Sequence, residues 1–234
     1  MKCVILAGGK GSRLSEYTKN TPKPMVKIGG KPILDHIINY YIHYGVKEFF
    51  IAAGYKANII KKYYKNKNNQ NIKINVINTG IDTLTGKRIK KLEHFFSKDE
   101  NFYLTYGDGV SNVDLKKICK IHHKKKSILT LTAVHPPARF GEIKVKNNSL
   151  VKFDEKPQLV KGWINGGFFV VNSSFFKILT NKNVMLERDP IKKLVKLKKA
   201  SVYQHKGFWY CMDNLRDKIV LEKLIKTKKA LWIK

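Results

Sequence analysis

The stretch LAGGKGSRL, residues 6 to 14, follows directly on the apolar run Met1-Lys2-Cys3-Val4-Ile5. A short apolar run ended by glycines predicts a buried first β-strand. The glycines after it let the backbone approach a ligand closely, and successive N–H groups there form a nest for an anion. Gly8, Gly9 and Gly11 supply that nest, while Ser12 and Arg13 add side-chain donors. The spacing excludes two familiar phosphate cradles, because it is neither G-x-G-x-x-G nor a loop ending in G-K-[ST]. The chain therefore opens as an α/β protein with an anion site at the end of its first strand.

Downstream, strand-like runs alternate with amphipathic helical patterns. KPILDHIINYYIHYG (31–45) has helical spacing and a C-terminal glycine, Gly45, suited to end it. EFFIAAG (48–54) predicts a second strand, KANIIKKYYK a helix, and IKINVINTG (72–80) a third strand. GKRIKKLEHFF (86–96) predicts a further helix and NFYLTYGDG (101–109) a fourth strand ending in a turn. This order specifies a mostly parallel sheet flanked by helices. Ligands of such sheets sit beyond the carboxyl ends of the strands, so loops 8–13, 79–88 and 107–109 should converge on one crevice. From residue 127 the texture changes to short strands, SILTLTAV, FGEIKV, LVKFDEK, WINGGFFVV, ASVYQH and GFWYCMD. No Pro/Gly/Ser-rich linker separates them, so residues 1–234 are expected to form a single domain with halves 1–126 and 127–234 on one sheet. KNKNNQN (65–71) reads as an exposed loop.

The formal net charge of +30 raises the possibility of a nucleic-acid-binding module. Of the 47 basic residues, however, only positions 13, 88, 139, 188 and 216 are Arg, the residue favoured for base reading and bidentate phosphate contacts. Scattered Lys beside Asn and Ile points instead to solvated helix faces, and neither nucleic acid nor membrane is expected as a partner. His122 and His123, next to Lys124, Lys125 and Lys126, read as a solvated helix end. Cys3, Cys119 and Cys211 are odd in number, widely spaced and free of C-x-x-C, so they read as small buried hydrophobes in a reducing, cytoplasmic setting.

TPKPM (21–25) places Lys23 between two prolines, on a rigid extended segment about ten residues after the glycine loop. A fixed lysine and arginine beside a glycine nest suit charge neutralisation in phosphoryl chemistry. LAGGKGSRL and TPKPM together resemble the opening L-x-G-G-x-G-x-R-L and P-K-P pattern of the sugar-phosphate nucleotidyltransferases. TLTGKRIKKL, LTYGDGV, PPARFG, FDEKP, INGGFF and GFWYCMDNLRDK follow in the order of the branch that uses CTP on glucose 1-phosphate.

The resemblance implies a Rossmann-like sheet with a nucleotide-binding half and a partly antiparallel acceptor-binding half. It implies attack by the acceptor's phosphate on the α-phosphorus of CTP with release of pyrophosphate. The acceptor phosphate is already an anion, so no protein nucleophile is needed. By the same resemblance, Leu6, Ala7, Gly8, Gly9, Gly11, Ser12, Arg13, Lys23, Thr79, Gly80, Arg88, Gly107 and Asp108 meet the nucleotide, with Arg88 the candidate for cytosine. Lys156, Asn165, Gly166 and Glu187 meet the acceptor, and Arg13, Lys23, Asp108 and Asp213 carry catalysis. Mg2+ takes one or two carboxylates plus phosphate oxygens, and Asp108 and Asp213 match the family's metal positions. Asp213 also reads as the cap of the helix that follows, and Arg139 and Arg216 as either functional or paired with neighbours such as Asp217. The chain lacks the longer insertion of its glucose-1-phosphate counterparts before T-G and carries Lys87 where they have glycine. This leaves a phosphorylated amino-acid derivative such as glutamine phosphate open as acceptor behind glucose 1-phosphate, together with homo-oligomerisation; a non-catalytic regulatory homologue would lack a metal or triphosphate residue, whereas Arg13, Lys23, Asp108 and Asp213 are all present.

Overall fold

The computed structural model describes residues 1–137, 142–154 and 162–234. The chain runs through β1 (Cys3–Ala7), α1 (Ser15–Thr18), β2 (Lys27–Ile28), β3 (Lys31–Pro32), α2 (Ile33–His43), β4 (Glu48–Ala53), α3 (Ala57–Tyr64), β5 (Lys73–Asn78), α4 (Thr85–Lys90) and β6 (Asn101–Tyr106). It continues through β7 (Gly109–Ser111), α5 (Leu115–Lys125), β8 (Leu129–Val134), β9 (Glu142–Lys146), β10 (Ser149–Asp154), β11 (Ile164–Asn172), α6 (Asp189–Lys196), β12 (Ala200–His205), β13 (Trp209–Cys211) and α7 (Leu215–Lys226). Strands from both sides of residue 126 share a seven-stranded sheet of order β12-β8-β11-β6-β1-β4-β5.

Alternation along β1 shows how the sheet is covered. Cys3, Ile5 and Ala7 face one cluster with Ile33, Ile37 and Tyr41 of α2, Ile60 of α3, Ile118 of α5 and Leu221 of α7. Val4 and Leu6 face a second cluster with Ile89 of α4, Leu194 of α6, and Phe175 of the 3-10 turn Ser173–Lys177. Both faces are thus apolar, which is why β1 reads as a continuous hydrophobic run. The strand extends two residues beyond its expected end, since Leu6 and Ala7 still pair with Ala52 and Ala53 of β4.

Strands β5, β4, β1 and β6 are mutually parallel, so their carboxyl ends lie at one edge. β11 pairs antiparallel with both β6 and β8. Its amino end, Ile164–Asn165, is therefore delivered to the edge where the parallel strands finish. A register irregularity between Asn165 and Phe169 accommodates the two glycines there. The short β13 pairs antiparallel with β7, setting Cys211 opposite Gly109, and so carries the segment after it back to the end of β6.

Several local expectations need correction. The helix expected over 86–96 is α4 followed by a separate 3-10 turn at Glu93–Phe95. Lys23 opens a 3-10 turn, Lys23–Met25, after an extended Pro22, because Pro24 is well suited to the first turn of a helix. His122 is 2% exposed and bonds Thr130 Oγ1 through Nδ1 at 2.9 Å, so it packs inside while His123 stays at the surface. Burial, with His123 adding to it, lowers its pKa to about 4. The 65–71 segment is an exposed loop as its composition indicates. No helix among the described residues is long and apolar enough to cross a membrane.

Candidate active site

At the carboxyl edge of the sheet, the β1 loop, the 3-10 turn at Lys23, the β6–β7 turn and the segment after β13 enclose a cleft of about 220 Å³. Leu6, Ala7, Gly9, Gly11, Ser12, Arg13, Lys23, Pro24, Gly107, Asp108 and Asp213 line it. Gly11 holds a left-handed backbone, φ 65°, and caps the 3-10 turn Ser12–Leu14. A Cβ there would come 2.9 Å from that of Lys23, so the glycine both turns the chain and lets the lysine pass. Gly107 similarly lies against Pro24.

Lys23 Nζ sits between the two aspartates, 2.6 Å from Asp108 Oδ2 and 2.8 Å from Asp213 Oδ1. Arg13 reaches the other oxygen, Asp213 Oδ2, at 3.1 Å while remaining largely exposed. Burial opposes the charge on Lys23, but Asp108, with Asp213, outweighs it and raises the lysine's pKa. Burial likewise raises Asp213, yet the hydrogen bond and charge of Lys23, followed by Arg13, leave its pKa below the ordinary carboxylate value. Met212 N donates to Asp108 O at 2.9 Å, which ties the two acidic segments together.

Asp213 does not cap α7. Asn214 does so, in a capping box with Asp217, and the buried Asp217 accepts hydrogen bonds from the backbone N–H groups of Asp213 (2.9 Å) and Asn214 (3.1 Å). This frees the Asp213 side chain for the cleft and gives Asp217 a positioning part. Cys211, read from sequence as one more buried hydrophobe, has its thiol 3.6 Å from Asp213 Oδ1. Burial, then the negative charge of Asp108, raises its pKa. Ligand atoms of Asp108, Cys211 and Asp213 lie within 4.8 Å of one another. The two carboxylates already converge on one ammonium, an arrangement that fits a hard divalent cation, which takes oxygen ligands.

A second cavity, of about 500 Å³, adjoins the first at Leu6, Gly9 and Asp108 and is bounded by loop 81–85, Arg88, Tyr106 and Met185. Loops 8–13, 79–88 and 107–109 therefore converge. Arg88 lines this cavity, and Thr79 lies buried behind it. Arg88 is 3% exposed and donates from NH1 to Ala53 O (2.9 Å), Thr79 Oγ1 and Gly80 O (3.1 Å), and from NH2 to Thr83 O (2.5 Å). The guanidinium assigned to cytosine from sequence is thus engaged in holding loop 79–83, and the fully buried Thr79 hydroxyl is part of that anchor. Gly8 makes room for it, since a Cβ would fall 2.0 Å from Arg88 Cζ.

Asn165 and Glu187 meet at the phenol oxygen of Tyr106, which adjoins Gly107-Asp108 in the chain, and Gly166 follows Asn165 in β11. Gly166 O accepts a hydrogen bond from Trp209 Nε1 at 2.7 Å. Lys156 and Arg139 lie outside the described residues.

A phosphate-sized cleft lined by a glycine loop, a lysine and two carboxylates at the carboxyl edge of such a sheet defines an enzyme of phosphoryl transfer from a nucleotide. The chain belongs to the nucleotidyl transferase family, whose model matches residues 2–214. It is 41% identical to the glucose-1-phosphate cytidylyltransferase of Salmonella typhimurium, over 99% of this chain and 98% of the relative. That alignment spans 255 positions against a chain of 234, in keeping with the missing insertion. A D-glycero-alpha-D-manno-heptose 1-phosphate guanylyltransferase of Campylobacter jejuni is 34% identical, over 75% of this chain and 78% of its own. Among solved structures, HddC from Yersinia pseudotuberculosis superposes with a TM-score of 0.73 at 25% identity, covering 96% of this chain and 99% of that one.

Proposed function

We propose that the protein is a cytidylyltransferase: it transfers CMP from CTP to the phosphate of glucose 1-phosphate and releases pyrophosphate. A non-bridging oxygen of the acceptor phosphate bonds to the α-phosphorus as the bond from that phosphorus to the oxygen of the departing pyrophosphate breaks. The products are a CDP-linked sugar and pyrophosphate. The observation that carries the reading is the convergence of Arg13 and Lys23 with Asp108 and Asp213 in one cleft behind the glycine loop. Full-length similarity to the Salmonella cytidylyltransferase supports CTP and glucose 1-phosphate over other pairs.

The residues divide the work by position. Leu6, Ala7, Gly8, Gly9, Gly11 and Ser12 supply the backbone cradle for the triphosphate, with Gly107 keeping its floor low. Arg13 and Lys23 neutralise phosphate charge that moves towards the leaving group. Thr79, Gly80 and Arg88 shape the wall for the base. Asn165, Gly166 and Glu187 take the sugar's hydroxyl face, and Lys156 is assigned to its phosphate by family resemblance. Asp108 and Asp213 hold Mg2+, which when bound neutralises and orients triphosphate oxygens. Both halves of residues 1–234 act as one unit on the shared sheet.

A pyrophosphate-release assay with Mg2+, crossing CTP, UTP, ATP, GTP and dTTP with sugar 1-phosphates and other small phosphorylated metabolites, tests the reading. The greatest rate is expected with CTP and glucose 1-phosphate. Turnover with UTP or dTTP and none with CTP contradicts the nucleotide; turnover with CTP only on a non-sugar phosphate contradicts the acceptor.

A further inference from the structure

We infer that Tyr106 is a positioning residue for acceptor recognition: its phenol fixes the Glu187 carboxylate and the Asn165 amide into one hydroxyl-binding cradle. This rests on the assignment of Glu187 and Asn165 to the acceptor.

Glu187 stands in the loop before α6, and it is held from two sides. Tyr106 OH donates to Oε1 at 2.5 Å and Thr85 Oγ1 donates to Oε2 at 2.8 Å. Both of these partners are neutral hydroxyls. A carboxylate oriented by two neutral donors has lone pairs left over, so it is set to accept further hydrogen bonds from donor groups such as sugar hydroxyls. Asn165 Nδ2 in turn donates to the Tyr106 oxygen at 3.2 Å. The phenol thus links residues from β11 and from the chain before α6, which no hydrogen bond between Asn165 and Glu187 joins directly.

The surroundings are built to hold this ring. Gly167 has φ 80°, and a Cβ there would come 2.4 Å from Tyr106 Cδ2, so the bulge in β11 is shaped around the tyrosine. Asn165 Oδ1 accepts from Gly167 N at 3.0 Å, which fixes the amide so that its NH2 points at the phenol. Phe169 packs edge-on at 5.8 Å. Thr85 is locked by the donation of Leu186 N to its hydroxyl oxygen at 2.8 Å.

Because a hydrogen bond to a charged group is worth about a tenfold factor in binding or more, loss of the phenol has a defined signature. Tyr106→Phe keeps the ring that fills the bulge and removes only the oxygen. Steady-state kinetics of the wild type, Tyr106→Phe, Glu187→Gln and the double variant, together with thermal midpoints, supply the test. The expected result is an acceptor KM raised roughly tenfold in Tyr106→Phe. CTP KM should stay within about twofold and the midpoint within a few degrees, and the double variant should be little worse than Glu187→Gln alone because both act through one carboxylate. Three results overturn the inference: an unchanged acceptor KM in Tyr106→Phe, equal rises in both KM values with a lowered midpoint, or additive losses in the double variant. If Glu187→Gln itself leaves the acceptor KM unchanged, the acceptor assignment falls and the inference with it. If only Tyr106→Phe is silent, the assignment stands and the inference alone is lost.

Discussion

The two ends of the site solve the same problem, holding carboxylates in place, by opposite means. At the phosphate end Asp108 and Asp213 face cations, Lys23 between them and Arg13 outside. At the acceptor end Glu187 is held by neutral hydroxyls of Tyr106 and Thr85. The ionic end is arranged for charge that changes during reaction, where fixed cations lower the barrier. The neutral end is arranged for recognition, where a carboxylate already paired with a cation would have less to offer an incoming hydroxyl.

The contrast is broken most strongly by removing the acids of the ionic end. Asp108→Ala and Asp213→Ala are each expected to lower kcat by about 10²-fold or more. Circular dichroism should show the fold retained, because Lys23 keeps one aspartate partner in either variant. Asp213→Ala with the wild-type rate and magnesium dependence would remove the shared-metal assignment.

The ionic end was also the end most legible in the sequence. Gly8 to Arg13 and Gly107-Asp108 follow the ends of parallel strands, and strand order alone sends such ends to one edge, while Lys23 is marked by the prolines on either side of it. The acceptor end resists this reading because it depends on β11 running backwards, on a bulge at Gly166-Gly167, and on loop 183–187 docking against α4 through Gly86 N to Val184 O. None of these has a local periodicity. Tyr106 is hard to single out because an aromatic residue on a buried strand normally signals core, and the carbonyls that surround Arg88 leave no mark in a loop motif. His122 was misread for a related reason: neighbouring lysines suggested a wet helix face, whereas the α5 stripe of Leu115, Ile118 and His122 faces the sheet.

Lys23→Met should be next in size. It leaves two carboxylates facing each other with their bridging cation gone, which costs about 2–4 kcal/mol for a largely buried charged group. Divalent cation should recover part of this loss, so the rise in thermal midpoint on adding Mg2+ is expected to be larger in Lys23→Met than in the wild type. Equal rises would mean that the carboxylates and the cation do not share one position. Lys67→Ala and Lys125→Ala, which remove surface charge elsewhere, should leave CTP and acceptor KM unchanged.

Arg88 sharpens the comparison from the base wall. If it acts by anchoring loop 79–83, Arg88→Met should lower stability by roughly 2–3 kcal/mol, a midpoint fall of about 4–12 °C, and raise CTP KM together with that of a competing nucleotide. Loss of discrimination between CTP and UTP at an unchanged midpoint would instead show a direct contact to the base.

The smallest effect lies away from both ends. His122 has a folded pKa of about 4, below its unfolded value near 6.5, so the unfolded chain binds the extra proton between those limits. Its contribution to stability is complete above about pH 6.5 and falls as pH drops towards 4, by at most about 2 kcal/mol at pH 5. In urea titrations across that range, His122→Asn should flatten the acid slope without changing kcat. The partly buried Asp213, whose pKa is lowered, adds stability above the ordinary carboxylate range that is lost at still lower pH.

The account turns on both ends acting together on one ternary complex, with the acceptor's own phosphate as nucleophile. Exchange of labelled pyrophosphate into CTP, measured with Mg2+ in the absence and presence of acceptor, tests this directly. No exchange is predicted without a phosphorylated acceptor, and exchange should appear when glucose 1-phosphate or the CDP-linked product is added. Exchange with CTP and pyrophosphate alone would reveal a cytidylylated protein residue and contradict the mechanism.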